Sequence, residues 1–246
     1  MSDVIFSVVM PAFNAASTLN DSINSVLRQT FRHFELLVVD DCSSDATRDI
    51  IAENMRKDAR VLGFFLDANG GISAARNVAI KAATGHFIAF LDADDLWVPE
   101  KLQKQYHLLS AGRDLVFASY IRFDKQGRQK RIAVPSTLTY NSLLNGNCIG
   151  NLTGVYNCRK LGKFYQEPIK HEDYLMWLQI LRAGAIVEGV NEVLALYRVS
   201  DSSVSADKLR AAGWQWTIYR EHLGLGALEA SYRFVRYMVA ALFKRA

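Results

Sequence analysis

Three carboxylates follow an apolar segment in the first half of the chain. The segment 87–91 is apolar and leads directly to Asp92, Asp94 and Asp95. An apolar run without polar alternation is typical of a strand buried on both faces, and open α/β sheets place ligands at the carboxyl ends of such strands. Because clustered carboxylates repel one another, they favour Mg²⁺ or Mn²⁺, which commonly shares its coordination with a substrate diphosphate. Taken alone, the cluster is equally typical of acids that cap a turn and a helix.

The spacing within this cluster separates two roles. Asp92 and Asp94 are two positions apart. We interpret the backbone here as extended, so that alternate side chains point in opposite directions and the two acids rarely reach one ion. We therefore expect Asp94 to hold the metal and Asp92 to contact the substrate.

Two further groups lie before this cluster. Asp40 and Asp41 end the apolar segment 34–39, and a carboxylate there can accept a hydrogen bond from uracil N3–H or cap the next helix. Arg76 follows a Gly70-Gly71 turn, where close backbone approach, a helix N-terminus and a guanidinium suit phosphate. By itself, Arg76 is more typical of a solvated helix position.

A fourth group is the pair Glu172 and Asp173, which opens an apolar helical pattern. Acids are common in a first helical turn because the helix dipole favours them, and that is the commoner interpretation. The functional alternative is a general base beside an acceptor hydroxyl, which contributes ~10²–10⁴-fold in rate.

The apolar and helical patterns predict how these groups are positioned. The first half alternates β-α-β-α-β-α-β, which indicates a parallel sheet with right-handed crossovers and one long cleft at its carboxyl edge. The predicted strands are 5–10, 34–39, 61–66 and 87–91, and the predicted helices begin at 17 or 18, 46, 73 and 99. The second half predicts a strand at 115–123, a charged turn at 124–131, a helix from 171, strands at 186–190 and 193–197, and helical structure after 207. Residues 135–170 show no clear periodicity.

Composition limits the class of protein. The chain has 246 residues, of which 50% are hydrophobic and 22% charged, as expected for a globular protein with a sizeable core. Cys42, Cys148 and Cys158 are widely spaced, which argues against a zinc site or a disulfide framework and fits a reducing compartment. We expect no signal peptide and no membrane span, because each apolar run is short of the ~18 residues required.

The net charge of +4 is concentrated at the end of the chain. Residues 207–246 contain seven Lys or Arg against three Asp or Glu. An apolar stripe with helical spacing accompanies these charges. It consists of Leu228, Tyr232, Val235, Val239 and Leu242. A basic amphipathic helix suits an anionic membrane surface, and a helix packed on the domain shows the same pattern, so both interpretations stay open.

The order of the motifs resembles family 2 glycosyltransferases over about residues 5–205. The matching segments are 8–14 (VVMPAFN), 25–31 (SVLRQTF), 38–45 (VVDDCSSD), 71–77 (GISAARN), 90–95 (FLDADD) and 171–173 (HED). The resemblance implies an inverting enzyme of the GT-A type, with a Rossmann-like, mostly parallel sheet flanked by helices. It implies a domain over 1–205, with a nucleotide-binding half at 1–110 and an acceptor-binding half at 111–205. Residues 206–246 then form a basic amphipathic tail.

The resemblance also implies a role for each matching donor-side residue. Pro11 and Phe13 would line the nucleotide pocket. Asp41 would contact the base, and Arg76 would support the nucleotide. Asp92 would face the ribose or sugar of the donor.

On the reacting side, the resemblance implies that Asp94 holds Mn²⁺ or Mg²⁺ on the diphosphate and that Asp173 is the general base. Glu172 would orient the acceptor or the base. Many relatives have Tyr-Arg-x-His near the end of the domain, and here Ser200 replaces that His. Arg198 and Ser203 would then engage the diphosphate instead.

The resemblance implies a substrate class as well. We expect a sugar to move from a nucleotide-sugar donor, in particular a UDP-sugar, to a glycolipid or oligosaccharide acceptor. The expected acceptor is a polyprenyl-diphosphate-linked sugar of bacterial surface polysaccharide assembly. We expect a cytoplasmic enzyme attached peripherally to the inner-membrane surface by its tail, with no nucleic-acid partner.

Other classes fit less well. A haloacid-dehalogenase-like phosphatase has its acids after the first strand, with Thr or Ser two residues beyond the second acid, where this chain has Leu96. A Rossmann dehydrogenase requires Gly-x-Gly-x-x-Gly after the first strand, and residues 11–18 contain no glycine. A non-catalytic sugar- or cation-binding module has no use for Asp173. A glycosyltransferase acting on a protein or a soluble acceptor remains an alternative.

Overall fold

A computed structural model describes residues 4–199 and 208–243. Within this part of the chain, nine strands form one sheet in the order β3-β2-β1-β4-β8-β6-β9-β5, with β7 paired to β6. The strands are β1 (Phe6–Ala12), β2 (Phe34–Asp40), β3 (Val61–Phe65), β4 (Phe87–Phe90), β5 (Leu96–Trp97), β6 (Leu115–Phe123), β7 (Gln129–Ile132), β8 (Val155–Asn157) and β9 (Val187–Arg198).

Helices cover both faces of this sheet. They are α1 (Leu19–Leu27), α2 (Thr47–Lys57), α3 (Ile72–Ala82), α4 (Lys101–Ser110), α5 (Tyr140–Leu143), α6 (Cys158–Leu161), α7 (Glu172–Arg182), α8 (Lys208–Thr217) and α9 (Ala227–Phe243). A 3₁₀ turn spans Asn151–Thr153, and a π-helical segment spans Ile218–His222. The predicted α/β class is confirmed.

The long strand pairings are parallel. β1 pairs with β2 over seven positions and with β4 over four, and β3 extends the sheet from β2. β6 and β9 form a second parallel pair, while the short strands β5, β7 and β8 are antiparallel to their neighbours. Because β1, β2 and β4 run in the same direction, their carboxyl ends meet at one edge, as the β-α alternation predicts.

The sheet separates two apolar cores. Val9 of β1 faces the core that contains Phe90, Tyr156 and Trp177, whereas its neighbour Val8 faces the core under α1 and α4. All residues of β1, β2 and β4 are buried. Their apolar side chains on both faces therefore anchor the strands from which the carboxylates project.

Three local expectations are wrong. The charged turn at 124–131 is the tip and second strand of a β6–β7 hairpin. The strands predicted at 186–190 and 193–197 form one strand, β9, with an irregularity where it pairs with β6. Residues 92–95 are not extended, because the Asp95 amide donates to the Asp92 carbonyl in a turn at 3.1 Å. The alternation used to separate Asp92 from Asp94 therefore does not apply.

The described part of the tail packs on the domain through one face of α9. Ala230 is fully buried, Phe234 meets Trp216 edge-on at 5.6 Å, and Arg233 donates to Asn141. The opposite face of α9 is exposed, with Leu228 90% and Val235 60% accessible. Among the described residues, no helix has the length and apolar character of a bilayer span.

Candidate active site

A single cleft of about 1550 Å³ follows the carboxyl edge of the sheet. Its volume exceeds the ~300–1,000 Å³ typical of a site for one small ligand, so it has room for a donor and an acceptor together. Nine of the predicted site residues line its wall. They are Pro11, Phe13, Asp41, Arg76, Asp92, Asp94, Glu172, Asp173 and Arg198.

At one end of the cleft, Asp41 is held by the turn before α3. Its two carboxylate oxygens accept hydrogen bonds from the Gly70 and Gly71 amides at 2.7 and 2.8 Å. Gly71 has a φ of 81°, which favours glycine, and a Cβ on Gly70 would lie 2.8 Å from the Ala74 Cβ. Two backbone donors thus fix the Asp41 carboxylate in the cleft wall beside the half-exposed ring of Phe13.

Arg76 projects from α3 and links two walls of the cleft. Its guanidinium donates to Asp92 at 2.6 Å and to Glu172 at 2.8 Å, and it also reaches Gln166 at 3.1 Å. Burial alone would lower the pKa of Arg76, which is 2% exposed, but the charges of Asp92 and Glu172 outweigh burial and raise it. Arg76 is therefore a buried cation that ties the end of β4 to the first turn of α7.

The acids after β4 carry more negative charge than their surroundings neutralise. Burial and then the neighbouring Asp92 raise the pKa of Asp94. Burial, followed by Asp92 and Asp94, raises the pKa of Asp95 well above its usual range. Carboxylate oxygens are hard ligands, and a partly desolvated group of them with excess negative charge is suited to bind a divalent cation.

Arg198 lies beside these acids at the end of β9. Its amide donates to the Asp95 carboxylate at 2.8 Å, and its Nε donates to the Asp94 carbonyl at 2.9 Å. Among the described residues, no three His, Cys, Asp or Glu side chains form a group that could hold a metal ion. A cation at Asp94 would therefore complete its coordination with oxygens of a bound diphosphate.

Asp173 lies in the first turn of α7, next to Glu172. Burial and then the Glu172 charge raise the pKa of Asp173 to about 6, against the lowering effect of Arg76. The Asn147 side chain donates to its carboxylate at 3.3 Å. A carboxylate with a pKa close to neutrality is suited to take up a proton in the cleft.

Backbone strain is concentrated at this cleft. In residues 4–199 and 208–243, three non-glycine residues have positive φ: Asn14 at 47°, Cys42 at 61° and His171 at 62°. Asn14 and His171 line the cleft, and Cys42 follows Asp41. Conformations of this kind persist where surrounding structure holds them and cluster at functional sites. His171 directly precedes Glu172 and Asp173, and its strained conformation sets the direction in which α7 begins.

Sequence reasoning missed several side chains of the cleft wall. Tyr120 and Arg122 project into it from β6, and Asn147 reaches Asp173. Asn151 also lines the cleft, and its buried carboxamide has no hydrogen-bond partner in the part of the chain that the structure describes. The segment that carries the two asparagines shows no periodicity that could have placed them. Ser200 and Ser203 lie outside the described residues.

Comparisons with known proteins agree with this geometry. The family model for Glycosyl transferase family 2 matches residues 7–165. A Bacillus subtilis (strain 168) protein named for teichuronic acid biosynthesis, TuaG, is 36% identical over 98% of this chain and 97% of its own length. WfgD of Escherichia coli is 35% identical over 100% of this chain and 97% of its own length, and it is named as a UDP-Glc:α-D-GlcNAc-diphosphoundecaprenol β-1,3-glucosyltransferase.

The fold is also similar to a solved structure. S. aureus TarS residues 1–349, in complex with UDP-GlcNAc, superpose with a TM-score of 0.75 at 23% identity, covering 95% of this chain and 71% of that one. The predicted GT-A fold is confirmed by this likeness. The extent of the family match and the identity to full-length relatives show that this chain is a glycosyltransferase and belongs to glycosyl transferase family 2.

Proposed function

We propose that this glycosyltransferase moves a sugar, with inversion, from a UDP-sugar to a hydroxyl of a polyprenyl-diphosphate-linked saccharide in bacterial surface polysaccharide assembly. The observation that carries the proposal is the Asp173 carboxyl, whose pKa is raised to about 6 in the cleft that also contains Asp94. The substrates named for WfgD, which aligns with the whole of this chain, support the donor and acceptor classes.

The donor lies along the ends of β1, β2 and β4 in this proposal. Pro11 and Phe13 flank the base, and the fixed carboxylate of Asp41 accepts the uracil N3–H. Asp92 faces the ribose or the sugar while Arg76 holds its carboxylate. Residues 1–110 thus bind the nucleotide, and residues 111–205 supply the acceptor side.

The diphosphate is placed beside Asp94 and Arg198. Asp94 would hold Mn²⁺ or Mg²⁺, which when bound supplies positive charge to the departing nucleoside diphosphate. The Arg198 side chain is anchored by its Nε on the Asp94 carbonyl, so its charge stays next to the diphosphate. Both groups stabilise the charge that develops on UDP as the glycosidic bond breaks.

In this proposal, Asp173 accepts the proton of the acceptor hydroxyl. The acceptor hydroxyl lies against its carboxylate, and the proton passes to Asp173 as the hydroxyl oxygen bonds to the anomeric carbon. The bond from that carbon to the diphosphate oxygen breaks on the opposite side, and UDP leaves with the electron pair. One displacement inverts the configuration. Glu172 is held by Arg76 next to Asp173, where it raises the pKa of Asp173.

In this proposal, the tail binds the surface of the membrane that carries the acceptor lipid. Leu228, Tyr232, Val235 and Val239 form an exposed apolar stripe on α9, opposite the face that packs on the domain. The excess of basic residues over acids in 207–246 complements an anionic lipid surface. The helix is therefore suited both to pack on the domain and to lie in the membrane interface.

Vesicle sedimentation tests this membrane contact. With phosphatidylglycerol–phosphatidylethanolamine vesicles, Leu228→Ser combined with Val235→Ser should reduce binding by at least about tenfold, because each buried aliphatic side chain contributes ~1.5–3 kcal/mol. Ile186→Ser removes a comparably exposed apolar side chain elsewhere and is the control. Equal binding of the double variant, the control and the wild type would contradict the assignment.

A transfer assay tests the reaction. Purified protein with Mn²⁺, a panel of UDP-sugars and N-acetylglucosaminyl diphosphate lipid should release UDP and form a disaccharide on the lipid. Nuclear magnetic resonance should show the anomeric configuration opposite to that of the donor. A retained configuration would refute the single displacement. Transfer only to soluble saccharides or to protein would favour the alternative acceptors.

A further inference from the structure

The β6–β7 hairpin presents three cations to the cleft that form no ion pair with any described acid. Arg122, Lys125 and Lys130 all line the cleft. The acid of the hairpin tip, Asp124, is already paired with Arg128 at 2.6 Å. Within the described part of the chain, none of the three cleft cations forms an ion pair, and Arg122 contacts the ring of Tyr197 at 5.5 Å.

The strand register places two of these cations directly opposite each other. In the antiparallel ladder, Arg122 faces Lys130 and Tyr120 faces Ile132. Opposite residues lie on the same face of a hairpin, and like charges in such a pair destabilise it. This face lines the cleft, since Tyr120 and Ile132 line it too. A bound anion would relieve the repulsion, and phosphate oxygens match the guanidinium geometry.

We propose that Arg122 and Lys130, with Lys125 at the hairpin tip, form a second diphosphate site in the cleft, which binds the diphosphate of the lipid-linked acceptor. The inference rests on the proposed function and adds the residues that recognise its acceptor. It assigns the hairpin a part in substrate selection: an acceptor that carries a diphosphate is preferred over a neutral glycoside.

The position of the hairpin favours the acceptor over the donor. The donor diphosphate is assigned to Asp94 and Arg198, and Arg198 lies at the end of β9. β6 separates β9 from β7, so Lys130 on β7 lies two strand spacings, ~10 Å, from the strand of Arg198, with Arg122 between them. Tyr120 lines the cleft among these groups: burial raises the pKa of its hydroxyl, and the charges of Arg122, Asp95 and Asp173 all act on it.

This arrangement fits an acceptor that has one sugar between its reactive hydroxyl and its diphosphate. The hydroxyl would meet Asp173, the sugar would lie against Tyr120, and the diphosphate would reach Arg122 and Lys130. The cleft is large enough for this second substrate beside the donor.

Binding of decyl diphosphate in the presence of saturating UDP and Mn²⁺ tests the site by calorimetry. The wild type should bind the probe. Arg122→Gln combined with Lys130→Gln should weaken binding by about 100-fold, about tenfold for each lost charged contact. Arg128→Gln, on the same hairpin but paired with Asp124 and 78% exposed, is the matched control and should bind like the wild type.

Two further readouts separate this site from a donor site and from a structural role. The affinity for UDP should be unchanged in the double variant, and its melting temperature without ligand should be equal to or above that of the wild type, because a like-charge pair has been removed. In the transfer assay, the KM for the lipid diphosphate acceptor should rise, while that for a decyl glycoside of the same sugar should not.

Several results would overturn the proposal. The proposed site would be refuted if the double variant bound the probe as tightly as the wild type, or if the wild type did not bind the probe. An equal loss of affinity for UDP would assign the hairpin to the donor. These outcomes are distinct from failure of the proposed function, in which the wild type binds the probe but transfers no sugar to a lipid-linked diphosphate.

Discussion

Arg76→Met removes the cation that connects the donor and acceptor walls of the cleft. In the wild type, its guanidinium is bonded to Asp92 at 2.6 Å and to Glu172 at 2.8 Å. The methionine fills a similar volume but leaves the two carboxylates facing each other without a partner. We expect both a loss of stability and a change in the ionisation of Asp173.

The size of the stability effect follows from burial. Removing one partner of a buried ion pair costs ~3–5 kcal/mol. The side chains of Glu172 and Asp92 are 14% and 29% exposed, so water from the cleft reaches them and the lower end, about 3 kcal/mol, applies. For a chain of this size, 1 kcal/mol shifts the melting temperature by ~2–4 °C, which gives a fall of about 6–12 °C.

The ionisation effect has a definite sign. Arg76 lowers the pKa of Asp173, which stands at about 6 with the cation present. Without Arg76 the pKa of Asp173 rises, so its carboxyl stays protonated to higher pH. The acidic limb of the kcat/KM profile, which reports the free enzyme, should therefore move to higher pH in Arg76→Met.

Thermal unfolding and a pH–rate profile check both effects. Arg113→Met is the control, because Arg113 pairs with Glu188 where both side chains are more than a third exposed, and loss of such a pair costs ~0–1 kcal/mol. If Arg76→Met melted like Arg113→Met and kept the wild-type acidic limb, the buried link between the two walls would be refuted.

Two further predictions concern the metal and the core. Asp94→Ala should weaken donor binding in the presence of Mn²⁺ and make it insensitive to chelation, measured by calorimetry with a UDP-sugar; full activity of the wild type in excess chelator would contradict the metal role. Lys101→Met should raise the melting temperature at neutral pH, because burial lowers the pKa of Lys101 well below its usual range. Its ammonium contacts Gln105 and the Trp97 ring, and none of the described acids pairs with it. Because the folded state disfavours the charged form of Lys101, this gain in stability should fade only as the pH rises toward the pKa of a free lysine. A lower melting temperature of the variant at neutral pH would contradict the prediction.

The elements of the first half could be predicted because their patterns are local. The strand predicted at 115–123 has those bounds in the structure, and β1, β2, β3 and β4 agree within two residues at each end. Strands buried on both faces are nearly continuous apolar runs that end where polar residues begin. That boundary also placed Asp41 and Asp94 at one edge of the sheet.

The hairpin and the partners of Arg76 could not be predicted in this way. β7 has the sequence QKRI, whose charges face a cleft, so it lacks the apolar alternation that indicates a strand. Glu172 is 96 residues from Arg76, and nothing local to either residue indicates the other. The predicted contact of Arg76 with the nucleotide stays a prediction, and its ion pairs show how the cleft is held together.

The segment 135–170 is positioned by contacts from distant elements. The Trp97 indole donates to the Leu152 carbonyl at 2.7 Å, and Gln105 donates to the Thr153 carbonyl at 2.8 Å. These bonds fix the 3₁₀ turn that carries Asn151 into the cleft wall. Its structure therefore depends on β5 and α4, and its own sequence has no periodicity that indicates it.

The proposed mechanism depends on Asp173 as the general base, and the variant Asp173→Asn tests this role. The variant should bind a UDP-sugar like the wild type while its kcat falls by ~10²–10⁴-fold. The folded-state pKa of Asp173, about 6, lies above its usual 3.8, so its ionised form destabilises the folded state above that pH. Asn removes this cost, and the variant should be up to about 3 kcal/mol more stable at neutral pH, a gain that disappears as the pH falls below about 4.

The decisive measurement is the single-turnover rate of sugar transfer by Asp173→Asn, with donor binding measured on the same preparation. We expect intact donor binding, a higher melting temperature at neutral pH and a transfer rate that is lower by at least about 100-fold. Transfer at the wild-type rate by this variant would contradict the assignment of the acceptor proton to Asp173.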